Sequence, residues 1–350
     1  MKPIRSVEKQ AHHSHDPLRY DIIVIGASMG GFDALRTLIA EFPADFPASV
    51  FVVLHISSDH ESHLSEIFGR AAKLPVLPAK DLERIKPGHV YIAVPDFHLQ
   101  IEHNRIRLDH GPKQNRARPS VDALFFSAAK AFGPRVVGVV LTGALDDGTA
   151  GLMEIKRRGG FAIVQDPADA VNPSMPASAL NAVPIDRCVR LADMGALLCT
   201  LPWLAARDRP DHEKADIPVP SEPQLSTHIC PECSGPMWCI ETGKLLHFHC
   251  RIGHAFSGQS LLVEKTLALE SALWSAVNGL KDKANIAGKL SERAGKTHSY
   301  GASPDYFLKQ AADAESYAEM ITNVLLDASP AKLTNKKPTR SKVKKKPKGA

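Results

Sequence analysis

The chain lacks any apolar run long enough to cross a bilayer: residues 21–27 and 136–142 are among the longest, against the ~20 consecutive apolar residues a spanning helix needs. No apolar-cored cleavable signal opens it either. These lacks predict a soluble, cytoplasmic protein with no membrane insertion. Aromatic residues are also scarce, at 6%, and none stands among the nine Lys and Arg that crowd residues 330–350 without a single acid. Those nine exceed the whole net charge of +5, so the basicity belongs to this end of the chain. Basic residues set among Pro, Ser and Thr cannot bury a core. With no aromatic side chain to stack on bases, the segment reads as a solvated tail and not as a specific nucleic-acid contact.

Cysteine is sparse, six in 350 residues, and unevenly spread. Cys188 and Cys199 stand apart, whereas Cys230, Cys233, Cys239 and Cys250 fall in one short stretch, which reads as metal binding before disulfides. Cys230 and Cys233 form a C-x-x-C knuckle, and Cys250 is followed by Arg251, Ile252, Gly253 and then His254. Cys230, Cys233, Cys250 and His254 therefore make a Cys₃His set of the kind that holds structural zinc tetrahedrally. Cys239, His247 and His249 compete for the same role; Cys239 lies mid-segment, and the two histidines flank Phe248 in a strand-like run. A redox C-x-x-C would sit in a βαβ unit, which this stretch does not resemble. Four protein ligands fill the sphere, so the zinc is expected to be structural, and no cofactor is expected for catalysis. His12, His13 and His15 have no second ligand group nearby and read as solvated.

The remainder divides by pattern. Residues 1–19 are polar and aperiodic and read as a flexible leader. From residue 20 strand and helix patterns alternate: strands at 21–27, 50–55, 89–94, 136–142 and 161–165, helices at 31–42, 120–132 and 148–158. That rhythm predicts an α/β fold with a doubly wound, mostly parallel sheet over residues 20–206. Alternation of Leu99, Ile101, Ile106 and Leu108 about Asn104 predicts a small hairpin laid on it. Residues 207–226 carry Pro210, Pro218, Pro220 and Pro223 and read as a linker. A small zinc-binding module follows at 227–257. After it comes a helical region at 258–328, with patterns at 257–294 and 304–326 that suggest an α-helical hairpin, and then the basic disordered tail at 329–350. Leu262, Thr266, Leu269, Leu273, Ala276 and Leu280 form one apolar stripe on the first helix, read as intramolecular packing before a helix-mediated partner site.

Gly26-Ala27-Ser28-Met29-Gly30 follows the first strand and opens the first helix, satisfying G-x-S-x-G. Glycines at such a turn let the chain bend sharply and lift a serine hydroxyl above the sheet. A dinucleotide-binding turn would need glycine where Ser28 stands. Serine is a weak nucleophile at neutral pH and needs a base with an orienting group. His55 closes the second strand, and a parallel sheet puts its end on the same edge as Ser28. The strand at 136–142 runs into Asp146 and Asp147, which brings a carboxylate to that edge. Asp147 is taken as the orienting acid, with Asp146 left to cap a helix or face solvent, a choice spacing alone does not settle.

The order Ser, His, Asp differs from that of the α/β-hydrolases. The blocks IIVIGASMGGFDAL, VVLHISS, RPSVDALFFSAA, VVGVVLTGALDDGTAGL and NPSMPASAL, in this order, resemble the catalytic domain of CheB-type protein-glutamate methylesterases over roughly residues 21–201. The resemblance implies hydrolysis of glutamyl methyl esters on methyl-accepting chemotaxis receptors or related methylated signalling proteins, with deamidation of receptor glutamines in some members. Matched residue by residue, it carries the family's nucleophile to Ser28, its base to His55 and its acid to Asp147. Family members commonly have Thr where this chain has Met29, and Met-Gly where it has Ala144-Leu145. About twenty residues precede the first strand, too few for the receiver domain most CheB proteins carry, so phosphorylation control in cis is not expected. A scaffold that has lost turnover and a small-molecule carboxylesterase are the alternatives. The Cys/His block, lying beyond the linker, is expected to be dispensable for hydrolysis.

Overall fold

The computed structural model describes residues 21–56, 62–203, 217–295 and 303–327. The leader, the basic tail and the first half of the linker read from the sequence, residues 207–216, lie outside these residues. The chain divides into two compact units, Met1–Val263 and Glu264–Ala350.

The first unit opens with β1 (Ile22–Ala27), α1 (Gly31–Glu41), β2 (Ser49–Leu54), α2 (Leu64–Gly69), β3 (Val76–Pro78) and β4 (Val90–Ile92). It continues through β5 (His98–Glu102), β6 (Arg105–Asp109), α3 (Val121–Phe132), β7 (Val136–Val140), α4 (Thr149–Arg157), β8 (Phe161–Gln165), α5 (Ser174–Ala182), β9 (Arg187–Val189) and α6 (Leu191–Thr200). Seven strands pair in the order β3-β4-β2-β1-β7-β8-β9, every neighbouring pair parallel. The chain builds outward from β1 on one side and then returns to build from β7 on the other, so the winding reverses between these two strands. In such sheets the crevice at the carboxyl ends of the reversing strands is where ligands bind.

The strands are β-branched and apolar on both faces because both faces are covered. Ile23, Ile25, Val50 and Val52 pack with Leu35 and Leu38 of α1 and with Met194 and Leu198 of α6. Their alternates Val24, Phe51 and Val53 pack on the other side with Leu124 and Phe125 of α3 and with Leu152 and Ile155 of α4. The expected hairpin is present as β5 and β6, a separate two-stranded sheet whose Leu99, Ile101 and Ile106 join that second core. Its turn places His103 and Asn104 at φ 45° and 61°.

Four antiparallel strands follow, β10 (Gln224–Ile229), β11 (Pro236–Thr242), β12 (Leu245–Cys250) and β13 (Ala255–Ser257), paired in that order. Gln224–Ser226, read from the sequence as linker, belong to β10. This is an edge strand with a register shift between Leu225 and Ile229, and its pairing begins just after Pro223, where the missing N–H no longer matters. Met237, Phe248, Phe256 and Leu261 make the small core of this module together with Cys230 and Cys250.

α7 (Gly258–Ala294) begins in the first unit and continues into the second, where α8 (Pro304–Asp327) lies. The Ser291 hydroxyl donates to the Pro304 carbonyl and ties the end of α7 to the start of α8. The apolar stripe expected on α7 is corrected by the structure: Leu262 and Leu269 are exposed, while Val277, Ala284 and Ala287 are buried, as are Ala314 and Ala318 of α8. Small residues allow close backbone approach, so burial selects alanines that a size-weighted pattern passes over. No helix among the described residues is long and apolar enough to cross a membrane.

Candidate active site and metal cluster

Three strand ends build one cleft. Ser28 follows β1, its N–H donating to the Thr142 carbonyl (3.0 Å), and His55 follows β2, its N–H donating to the Ala27 carbonyl (3.1 Å). The turn between Ser28 and α1 depends on Gly30, at φ 78°, where an added Cβ would also press on Val171. Ser28 N–H and Gly31 N–H are both spent, the latter on the Ser28 carbonyl (2.8 Å), so neither is free for a developing oxyanion, contrary to what a glycine-rich helix start suggests. Thr142, after β7, closes the turn from the other side. Its hydroxyl donates to the Met29 carbonyl (2.9 Å) and accepts from Asn172 N–H (2.8 Å).

His55 Nε2 lies 2.8 Å from Asp147 Oδ2, pairing the histidine with the carboxylate chosen from the sequence. Asp147 is buried, and its two oxygens accept four further hydrogen bonds. Oδ2 takes the Val121 N–H (2.7 Å); Oδ1 takes Asn115 Nδ2 (2.9 Å), the Ser120 hydroxyl (2.9 Å) and the Asp122 N–H (3.1 Å). Two of these donors are free N–H groups at the start of α3, where the helix dipole favours negative charge. Burial alone would raise the Asp147 carboxyl, but the His55 hydrogen bond and charge, with Asn115 and Val121, outweigh it and hold the group below its ordinary range.

Its carboxylate neighbours shift the opposite way. Burial, then the charge of Asp147, pushes Asp122 well above the ordinary carboxylate value. Burial also raises Asp146, although hydrogen bonds from Ser257 and Ser260 oppose it. Asp146 is neither free in solvent nor paired with the histidine: its Oδ1 accepts the Ser257 hydroxyl at 2.7 Å. Ser28, His55, Asn115, Arg116, Arg118, Leu145, Asp147 and Ser260 are among the residues lining a cleft of about 490 Å³. Asp96, at the same cleft, is held below its usual range by hydrogen bonds from Arg118 (2.6 Å) and His110 (2.9 Å).

Ser120 and Asp122 lie inside one of the sequence blocks quoted above without a role having been read for them. Asn115 gave no sequence signal at all. Leu145 stands at φ 63°, a left-handed backbone that glycine adopts more readily, at the position where the resembled family has Gly.

The four residues read as metal ligands also come together. One ligand atom from each of Cys230, Cys233, Cys250 and His254 lies within 4.8 Å of every other. Cys233 Sγ is 3.7 Å from Cys250 Sγ, and Cys250 Sγ is 3.5 Å from His254 Nδ1. A tetrahedral ion with bonds of ~2.3 Å to sulfur and ~2.0 Å to nitrogen separates such ligand atoms by roughly 3.5–3.8 Å, so the donor set fits. The competitors fall elsewhere: His249 stacks on Trp238, His247 meets Phe126 edge-on, and Cys239 packs beside the module core.

A family model described as CheB methylesterase matches residues 23–198. A Leptospira interrogans protein is 36% identical over 185 residues, covering 53% of this chain and 96% of that protein. A protein-glutamate methylesterase/protein-glutamine glutaminase of Chromohalobacter salexigens is 38% identical over 181 residues, covering 51% of each chain. Among solved structures, the CheB methylesterase catalytic domain of Thermotoga maritima is 34% identical, covers 52% of this chain and 98% of its own, and superposes with a TM-score of 0.50. The strand order, the cleft at the β1–β7 reversal and these matches agree, and the chain belongs to the CheB methylesterase family.

Proposed function

We propose that the cleft hydrolyses glutamyl methyl esters on chemotaxis-type receptors in the cytoplasm, with Ser28 as nucleophile, His55 as base and Asp147 as orienting acid. The observation that carries this reading is the 2.8 Å hydrogen bond from His55 Nε2 to the buried Asp147. With Nε2–H donated to the carboxylate, Nδ1 is the ring nitrogen left to take a proton from Ser28. The serine oxygen attacks the ester carbonyl, and Asp147 stabilises the imidazolium that forms. The imidazolium returns its proton to the departing methoxide, which leaves as methanol. Water, deprotonated by the same nitrogen, then cleaves the acyl-enzyme to give glutamate and restores the Ser28 hydroxyl. The same sequence on a glutamine side chain releases ammonia, in keeping with the double name that the Chromohalobacter relative carries.

In this reading Cys230, Cys233, Cys250 and His254 hold a structural zinc, supported by the fit of their spacing to a closed tetrahedral site. The test of the main reading is methanol release from methylated receptor fragments beside hydrolysis of a generic aryl ester. A receptor-directed enzyme favours the former, a small-molecule esterase favours only the latter, and a scaffold turns over neither.

A further inference from the structure

We propose that the Cys/His module is part of the positioning machinery of the esterase. Strand β13 fixes Asn115, Asn115 fixes Asp147, and metal occupancy at Cys230, Cys233, Cys250 and His254 thereby governs turnover at Ser28. This rests on the reading of Ser28, His55 and Asp147 as the catalytic set and of the four ligands as a zinc site.

Asn115 is gripped at every polar atom that the relay needs. Its backbone N–H donates to the Ala255 carbonyl at 2.8 Å. Its side-chain oxygen accepts the Ser257 N–H at 2.8 Å, and its side-chain nitrogen donates to Asp147 Oδ1 at 2.9 Å and to Asp122 Oδ2 at 2.7 Å. The Ser257 contact sets which end of the amide faces the carboxylates. Were the amide turned over, its oxygen would meet two carboxyl groups, and Asp147 would lose a donor. The backbone here also needs outside support, since Asn115 and Arg116 are consecutive non-glycine residues at φ 48° and 70°. A second contact runs to the residue beside the acid: the Ser257 hydroxyl, and more distantly that of Ser260 (3.4 Å), donates to Asp146 Oδ1.

β13 is held mainly by the module. It pairs with β12 at only three positions, His247–Ser257, Phe248–Phe256 and His249–Ala255. His254 immediately precedes it, and the His254 carbonyl accepts the Cys250 N–H at 3.0 Å. The module's buried core has six members, of which two are themselves ligands. A unit this small draws folding free energy from its metal, so stripping the ion loosens β13 and with it the anchor of Asn115. The expectation that this block stands apart from hydrolysis is thus replaced by one in which it reaches the acid of the active site through a single side chain.

The test uses the full chain in a two-by-two comparison: zinc-loaded and chelator-stripped protein, each as wild type and as Asn115→Ala, with steady-state hydrolysis of methylated receptor fragments measured throughout. Stripping the wild type should lower kcat at least roughly tenfold, the scale on which supporting-shell losses act, with KM little changed, and adding zinc back should restore it. Asn115→Ala should lose a similar factor while zinc-loaded and, because both changes act through one link, less than a further twofold on stripping. The proton shared by His55 and Asp147, read downfield by NMR, should shift on stripping the wild type. Cys250→Ser should behave as the stripped protein and not respond to zinc. The proposal is overturned if stripping leaves kcat within twofold, or if the two losses multiply as independent effects. Zinc-loaded wild type that releases no methanol would instead sink the catalytic reading beneath it, and a loaded sample without stoichiometric zinc would sink the metal reading.

Discussion

Asp147 and Asp146 are adjacent in the chain yet serve different partners: Asp147 Oδ2 meets His55 Nε2 at 2.8 Å, while Asp146 Oδ1 meets the Ser257 hydroxyl at 2.7 Å. Asp147→Asn should therefore depress turnover by about 10³–10⁴, since the amide favours the wrong imidazole tautomer. Asp146→Asn should cost far less, because its amide oxygen can still accept from Ser257. Initial rates of methanol release for the two variants check this, and a reversed order would move the orienting role to Asp146.

The same pair should respond oppositely in stability against pH. The folded state lowers the Asp147 carboxyl, so its contribution is present above the unfolded value of ~3.9 and is lost as pH falls through the lower folded value. It raises Asp146, so that contribution is full below ~3.9 and is lost as pH rises through the higher folded value. At neutral pH Asp147→Asn should melt earlier than wild type and Asp146→Asn later; the Asp146 difference should vanish as pH falls from its raised folded value to about 4, and the Asp147 difference should shrink only as pH falls below about 4. Thermal unfolding at neutral and acid pH checks the signs, and equal displacements in one direction would contradict them.

Most of the sheet was legible in the sequence because parallel strands buried on both faces read as apolar runs, as Ile22–Ala27 and Val136–Val140 do. The strands Val76–Pro78 and Arg187–Val189 were not, since three residues at a sheet edge carry no periodicity. In the cleft, Ser28 and His55 were singled out because each directly follows a strand at one sheet edge, whereas Asp147 lies in the loop between β7 and α4 and was preferred to Asp146 through the family resemblance and not by spacing. Asn115 was invisible, because its role depends on a partner 142 residues away, Ser257, that no local pattern brings near. The α7 stripe was misjudged for a related reason: which face of a helix is buried depends on its neighbours, and leucine size does not report them.

Zinc should be found at about one atom per chain by elemental analysis, as four ligands of this kind make one tetrahedral site. Cys250→Ser should lose the metal and unfold the strands β10–β13, seen as lost protection in hydrogen exchange across residues 224–257. Full metal retention in that variant would point to Cys239, His247 or His249 as a ligand.

The most direct measurement of the central claim is methanol release from methylated receptor fragments by the zinc-loaded full chain, wild type beside Ser28→Ala. Removing one small hydroxyl should leave the fold and its melting temperature essentially unchanged while lowering kcat by several orders of magnitude, as loss of the nucleophile does. A folded Ser28→Ala protein that released methanol at the wild-type rate would show that the reaction does not pass through Ser28, and the active-site assignment would fall.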